Sequence, residues 1–301
     1  MNVSELNEKF SLNGVLEIRE EHSGFPFIKI SNKYASAVIS LYGGQVLSYA
    51  QVAAEKLLFL SDKAFYETGK AIKGGVPICW PWFGADPEGK GRPAHGFART
   101  SLWQLESTEQ LENGSTKVVI CLLPNELSQN LFPYDFKLSL TIVVGKQLEL
   151  ELTTHNKGQQ AFNITQALHA YFAVKSIHQV AVLGLDGSAY LDKAKSNSGK
   201  ENKIQDGDVL INGEVDRIYL EVPNQLKIIH KETEKVISIE SKNNKTTVVW
   251  NPWKELCEQS ADLKEDDYTR FICVETANAA DDVIKIGPDE VFSLRVSYTN
   301  H

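Results

Sequence analysis

Short apolar runs with period-two alternation or β-branched character recur along the whole chain, at 27–30, 35–41, 117–123, 136–144, 147–154, 162–174, 217–222, 226–229, 235–240, 246–250, 271–275 and 291–298. A period of two sends successive side chains to opposite faces, so runs of this length predict strands rather than helices. Turn-forming groups separate many of them, among them Asn32-Lys33, Gly145-Lys146, Asn156-Lys157-Gly158 and Asn243-Asn244, as antiparallel hairpins require. Helical periodicity is confined to 4–10 and 253–263, the second opened by Asn251 with Pro252 in its first turn. So few helices leave no crossovers for a parallel sheet. The predicted fold is all-β, a large antiparallel β-sandwich with a few short helices, in a single domain over 1–301. The polar stretch 191–213 is expected to be a long exposed loop inside that domain, because the strand pattern resumes after it.

Composition narrows the partners. A 42% hydrophobic and 23% charged chain is ordinary for a globular protein, so disorder is not expected to dominate. The net charge of −8, with no basic tract, opposes nucleic acid and anionic membranes, although a small anion remains compatible with local cations. Residues 1–10 carry no basic segment followed by an apolar run, and no window resembles a membrane span, so a cytoplasmic location is expected. Cys79, Cys121, Cys257 and Cys273 lack C-x-x-C spacing and sit in or beside apolar stretches, which reads as buried free thiols. No zinc-type spacing, P-loop or dinucleotide fingerprint occurs, so neither a metal nor a cofactor is expected.

The segment 73–84, KGGVPICWPWFG, fits neither helix nor strand: its prolines lack backbone donors and its glycines favour unusual dihedrals. It predicts an ordered loop whose Trp80, Trp82 and Phe83 line a concavity, with Lys73, His95 and Arg99 adding charge and a titratable ring. Aromatic plates beside cations suit a phosphorylated sugar. The plainer alternative is a loop plugging the end of a barrel, with Arg99 in a structural ion pair.

Three further residues are candidates for proton chemistry. In a strand at 163–172, Thr165, Ala167, His169 and Tyr171 share one face while Ile164, Leu168 and Phe172 share the other, which gives His169 small or polar company. Glu275 closes the apolar run 271–275, and burial there would raise its pKa toward the range of a general base; the alternative is a strand-end carboxylate in water. Asp216 follows the polar stretch, and Arg217 or Glu214 beside it leaves an ordinary surface ion pair open.

Taken in order, GGVPICWPWFG, HGFAR, ALHAYF, EVDRIY, VVWNPW and FICVETAN resemble the hexose-6-phosphate 1-epimerases of the aldose 1-epimerase superfamily, with the likeness running over 27–298. The resemblance implies a galactose-mutarotase-like supersandwich that interconverts the α and β anomers of a hexose 6-phosphate, foremost D-glucose 6-phosphate, as a monomer without cofactor. It assigns the general acid to His169, expected protonated, and the general base to Glu275. His95 and Asp216 would bind sugar hydroxyls or the ring region, Lys73 and Arg99 the 6-phosphate, and Trp82 belongs to the substrate-binding wall. Family members usually carry arginine before the double glycine; Lys73 keeps the charge but loses the bidentate fork. A non-catalytic sugar-binding or sensing module would lack the acid or the base, and both motifs are present. A polysaccharide-active enzyme would favour an open groove over phosphate-type cations.

Overall fold

A computed structural model describes residues 2–194, 203–233 and 235–301. Two large sheets dominate, and their ladders are antiparallel. One has nine strands, in the spatial order Val209–Leu210, Val180–Leu183, Gln225–His230, Val236–Lys242, Val291–Asn300, Leu148–Asn156, Phe136–Val144, Thr116–Leu122 and Gln104–Gln110. The other has eight strands. Seven run in the order Lys203–Ile204, Ala189–Asp192, Val215–Leu220, Thr246–Asn251, Phe271–Asn278, Gln166–Leu168 and Ile78–Cys79, and Tyr171–Ala173 also pairs with Phe271–Asn278. A four-stranded sheet of Leu16–Glu21, Phe25–Ser31, Ala35–Ser40 and Gln45–Gln51 and a two-stranded pair, Phe162–Ile164 with Ile284–Ile286, complete the architecture.

Alternation explains how the large sheets face each other. In Phe136–Val144 every second residue is buried, so Leu138, Leu140, Ile142 and Val144 enter a core that also takes Ile272, Val274, Phe172 and Val249 from the eight-stranded sheet. The Phe172 and Tyr298 rings meet edge-on at 5.1 Å, joining the two sheets directly. Phe271–Asn278 is buried at every position: its even-numbered apolar residues face this core, and Cys273, Glu275 and Ala277 face the other way. That opposite face carries the candidate site.

The helices at Val3–Phe10 and Trp253–Gln259 correspond to the expected ones, the second shorter because it ends at Ser260. A third, Glu126–Leu131, opens with a reciprocal Asn125–Ser128 capping box that has no strong apolar period behind it. Strands such as Gln104–Gln110 escaped the pattern because an edge strand buries little; only Leu105 of its seven residues is buried. The expected loop at 191–213 is partly strand, since Ala189–Asp192 pairs with both Lys203–Ile204 and Val215–Leu220. Residues 195–202 of that stretch lie outside the described residues. Among the described residues, no helix is long and apolar enough to cross a membrane.

Candidate active site

The aromatic loop forms the edge of the eight-stranded sheet and interrupts the strand beside it. Ile78–Cys79 pairs with Gln166–Leu168, while the backbone N–H groups of Thr165, His169 and Tyr171 donate to the carbonyls of Pro81, Pro77 and Gly75 at 3.1, 3.0 and 2.9 Å. The run expected as one strand at 162–174 is therefore three short pieces with His169 in a gap. The facing inferred from the sequence survives: Leu168 and Phe172 enter the core, while Tyr171 and Ala167 lie on the opposite side.

In that gap His169 meets Glu275. The Nε2 atom lies 3.2 Å from Glu275 Oε1, with only 8% of the histidine and 1% of the glutamate residue exposed. Burial pushes the Glu275 carboxyl well above its usual range; Asp216 adds to this and Arg99 opposes it. Burial likewise holds His169 well below the usual imidazole value, helped by His95 and the Arg99 and Lys73 charges. Each shift favours the neutral form of its own group, so the contacting pair shares a single titratable proton. Thr247 Oγ1 donates to the Glu275 carbonyl at 2.6 Å, which fixes the strand beneath the carboxylate.

Aromatic rings pack around the pair. Tyr171 stacks on the His169 ring at 4.9 Å and 10°, and Trp250 meets both rings edge-on at 6.1 Å. Trp250 is partly exposed and sits in a register row with Asp216, Cys273 and Tyr171, so it offers a ring on the same face as Glu275. The sequence pattern assigns Trp250 no role; its clue is a large aromatic ring two positions from Val248 in the strand that closes at Asn251.

His95 reaches the pair from the segment after the loop. The His95 and Phe97 N–H groups donate to the Gly84 and Trp80 carbonyls at 2.7 and 3.0 Å, folding this segment back on 80–84. Gly96 is required there, because a Cβ would lie 1.9 Å from the Trp80 carbonyl oxygen and φ is +72°. The His95 ring lies 6.1 Å from that of His169 and edge-on to Phe83 at 4.9 Å. Its Nδ1 accepts from the Gly84 N–H at 3.3 Å, which leaves the neutral ring's proton on Nε2 as a donor. Burial, then Arg99 and Lys73, depress its pKa to about 3, so it stays neutral through the physiological range.

Asp216 lies two strands from Glu275 and is close enough to raise its pKa. Its own carboxyl is pushed up to about 6, first by burial and then by Glu214. It does not pair with Arg217, whose guanidinium turns to the opposite face, donates to Gln205 Oε1 at 3.1 Å and covers the Tyr190 ring. Arg99 is partly exposed and donates to the Ala94 carbonyl at 3.0 Å; Lys73 Nζ is 3.4 Å from Asp262 Oδ2.

Six of the seven candidate residues thus converge: Lys73, His95, Arg99, His169, Asp216 and Glu275. Trp82 does not join them. It is 3% exposed, its Nε1 donates to the Pro93 carbonyl at 2.9 Å, and the Arg92 guanidinium covers its ring at 4.3 Å. Trp80 is also removed from any concavity, since it is fully buried between the sheets with Nε1 donating to Thr154 Oγ1 at 3.0 Å. Extended backbone through Ile78–Cys79 sends Ile78 and Trp80 into the core and leaves Phe83 as the partly exposed ring of the three. The four cysteines are buried thiols. Among the described residues, no group of three or more His, Cys, Asp or Glu side chains is arranged to hold a metal ion.

Comparison with known proteins extends these observations. The aldose 1-epimerase family profile matches residues 26–299. A protein of Escherichia coli named "Putative glucose-6-phosphate 1-epimerase" is 36% identical over 255 residues, 84% of this chain and 83% of its own. A protein of the same name from Cenchrus ciliaris is 35% identical over 270 residues, 87% of this chain and 80% of its own. The crystal structure of a "putative mutarotase" from Salmonella typhimurium superposes with a TM-score of 0.89 at 31% identity, covering 97% of this chain and 95% of that one. A galactose mutarotase-like protein from Clostridium acetobutylicum shares the fold, with a TM-score of 0.73 at 15% identity over 96% of this chain and 99% of that one. A profile match over nearly the whole chain, relatives above 30% identity and a shared sandwich agree: the chain belongs to the aldose 1-epimerase family.

Proposed function

We propose that the protein interconverts the α and β anomers of a hexose 6-phosphate, with D-glucose 6-phosphate as the principal substrate. The observation that carries this reading is the buried His169–Glu275 contact at 3.2 Å, within range of the Arg99 and Lys73 charges. The names of the relatives from Escherichia coli and Cenchrus ciliaris point to the same substrate.

A pair holding one proton suits the reaction. Moving that proton from Glu275 to His169 gives the reactive form: Glu275, ionised within reach of the Arg99 charge, takes the proton of the anomeric hydroxyl while His169 gives one to the ring oxygen. The C1–O5 bond then breaks to the open-chain aldehyde. Rotation about C1–C2 presents the other face of the carbonyl, and reversing the transfers closes the ring as the opposite anomer. Protons only change places, so the isomerisation is redox-neutral. His95 Nε2–H and the Asp216 carboxylate are proposed to hold sugar hydroxyls, Trp250 to face the apolar side of the ring, and Arg99 with Lys73 to hold the phosphate.

NMR exchange spectroscopy on glucose, galactose and mannose, each with and without a 6-phosphate, tests the reading. Stronger acceleration of each phosphorylated hexose than of its free sugar is expected. Equal or greater acceleration of the free sugars overturns the phosphate assignment, and acceleration of none overturns the reaction.

A further inference from the structure

The two cations at the anion end of the site are not equivalent. Arg99 donates to a neutral carbonyl, whereas Lys73 is held by the Asp262 carboxylate at 3.4 Å, with the two side chains only 24% and 20% exposed. This ion pair is built into the chain path. Ser61 anchors both partners: its N–H donates to the Lys73 carbonyl at 3.1 Å and its hydroxyl to the Asp262 carbonyl at 2.7 Å. Asp267, fully buried, accepts from the Lys264 N–H at 2.8 Å and from Ser61 Oγ at 3.4 Å, and pairs with Arg270. The turn bearing Asp262 is thereby fixed against the segment bearing Lys73. Asp262 is also near enough to Tyr171, whose ring stacks on His169, for its charge to add slightly to the burial that raises the tyrosine pKa.

We propose that Asp262 sets the anion affinity of the site: its carboxylate neutralises Lys73 before substrate binds, which leaves Arg99 as the primary anion contact and makes any anionic substrate compete with Asp262 for Lys73. This rests on the hexose-phosphate reading above. Asp262 is a positioning residue acting through Lys73, and its effect is on selectivity rather than on proton transfer. A fixed carboxylate beside an incoming phosphate opposes binding, so its removal tightens the site for anions and leaves neutral sugars as the internal reference.

The test compares wild type with Asp262→Asn and Asp262→Ala, in KM for anomer exchange of glucose 6-phosphate and of glucose, and in Kd for inorganic phosphate by calorimetry. Both variants keep the backbone carbonyl that Ser61 binds, and thermal melting verifies the fold of each. The ratio of the glucose 6-phosphate KM to the glucose KM is expected to fall about three- to tenfold, with a parallel fall in phosphate Kd that shrinks at high salt. A rise in that ratio, or no change, overturns the inference and makes Asp262 a support that holds Lys73 for the phosphate, or a bystander. Failure of the parent reading looks different, because it is seen in the wild type as the absence of any preference for the phosphorylated sugar.

Discussion

Replacing Glu275 by Gln is the sharpest single perturbation of the proposed chemistry. The amide keeps the shape of a side chain that is 1% exposed and can still contact His169 Nε2, but it accepts no proton at any working pH. The expected loss is that of one positioned acid–base group, about 10²- to 10⁴-fold in the exchange rate, equivalent to about 3–5 kcal/mol of transition-state stabilisation. Stability moves the other way. The folded pKa of Glu275 lies well above its ordinary value, so its contribution to stability is present below the unfolded pKa and lost as pH rises through the folded one. A neutral Gln carries no such penalty, and the Tm of the variant is expected to equal or exceed that of wild type at pH 8, with the difference narrowing toward pH 4. Exchange spectroscopy on glucose 6-phosphate measures the first effect and scanning calorimetry across pH the second. Because His169 and Glu275 share a proton, adding His169→Asn is expected to cost less than another tenfold. Exchange within tenfold of wild type in a folded Glu275→Gln protein refutes the assignment of the base.

Other outcomes follow from the same geometry. Arg99→Met is expected to raise the KM for glucose 6-phosphate about ten- to hundredfold, as loss of a charge-assisted contact does, and Lys73→Met less than about fivefold because Lys73 is already paired with Asp262; steady-state exchange kinetics rank the two. Asp216, raised from 3.8 to about 6, binds more protons folded than unfolded between those values, so its stabilisation is complete below about pH 4 and lost as pH rises through about 6. Asp216→Asn is expected to flatten that decline, worth about 2 kcal/mol after allowing for its partial exposure, in urea melts across pH 4–7. Gly96→Ala forces a Cβ to within 1.9 Å of the Trp80 carbonyl oxygen at φ +72°, and is expected to cost about 3 kcal/mol or more in urea denaturation, whereas Gly89→Ala, with open space around it, is expected to be far milder.

The chain pattern alone carried the fold class and much of the chemistry. Alternation in Phe136–Val144 and Leu148–Asn156 marks one strand of an antiparallel sheet after another, because a period of two has meaning only when one face is buried. The same rule suffices to put His169 on the face opposite Leu168 and Phe172. It also left Glu275 in an apolar run where an unsatisfied carboxylate is costly, so a special environment was legible there. Tertiary structure decided which aromatic rings are walls and which are core. Trp80 and Trp82 sit in a loop that resembles a binding surface, yet strand pairing at Ile78–Cys79 turns the first into the inter-sheet core and Arg92 covers the second. Trp250, part of the VVWNPW motif but given no role by it, lies on the site face because Val215–Leu220 and Phe271–Asn278 flank its strand in a particular register. Only the three-dimensional arrangement could bring Asp262 to Lys73, or depress His169 while raising Glu275. Charge and desolvation act through space, and no local pattern records which distant segment will stand beside a given side chain.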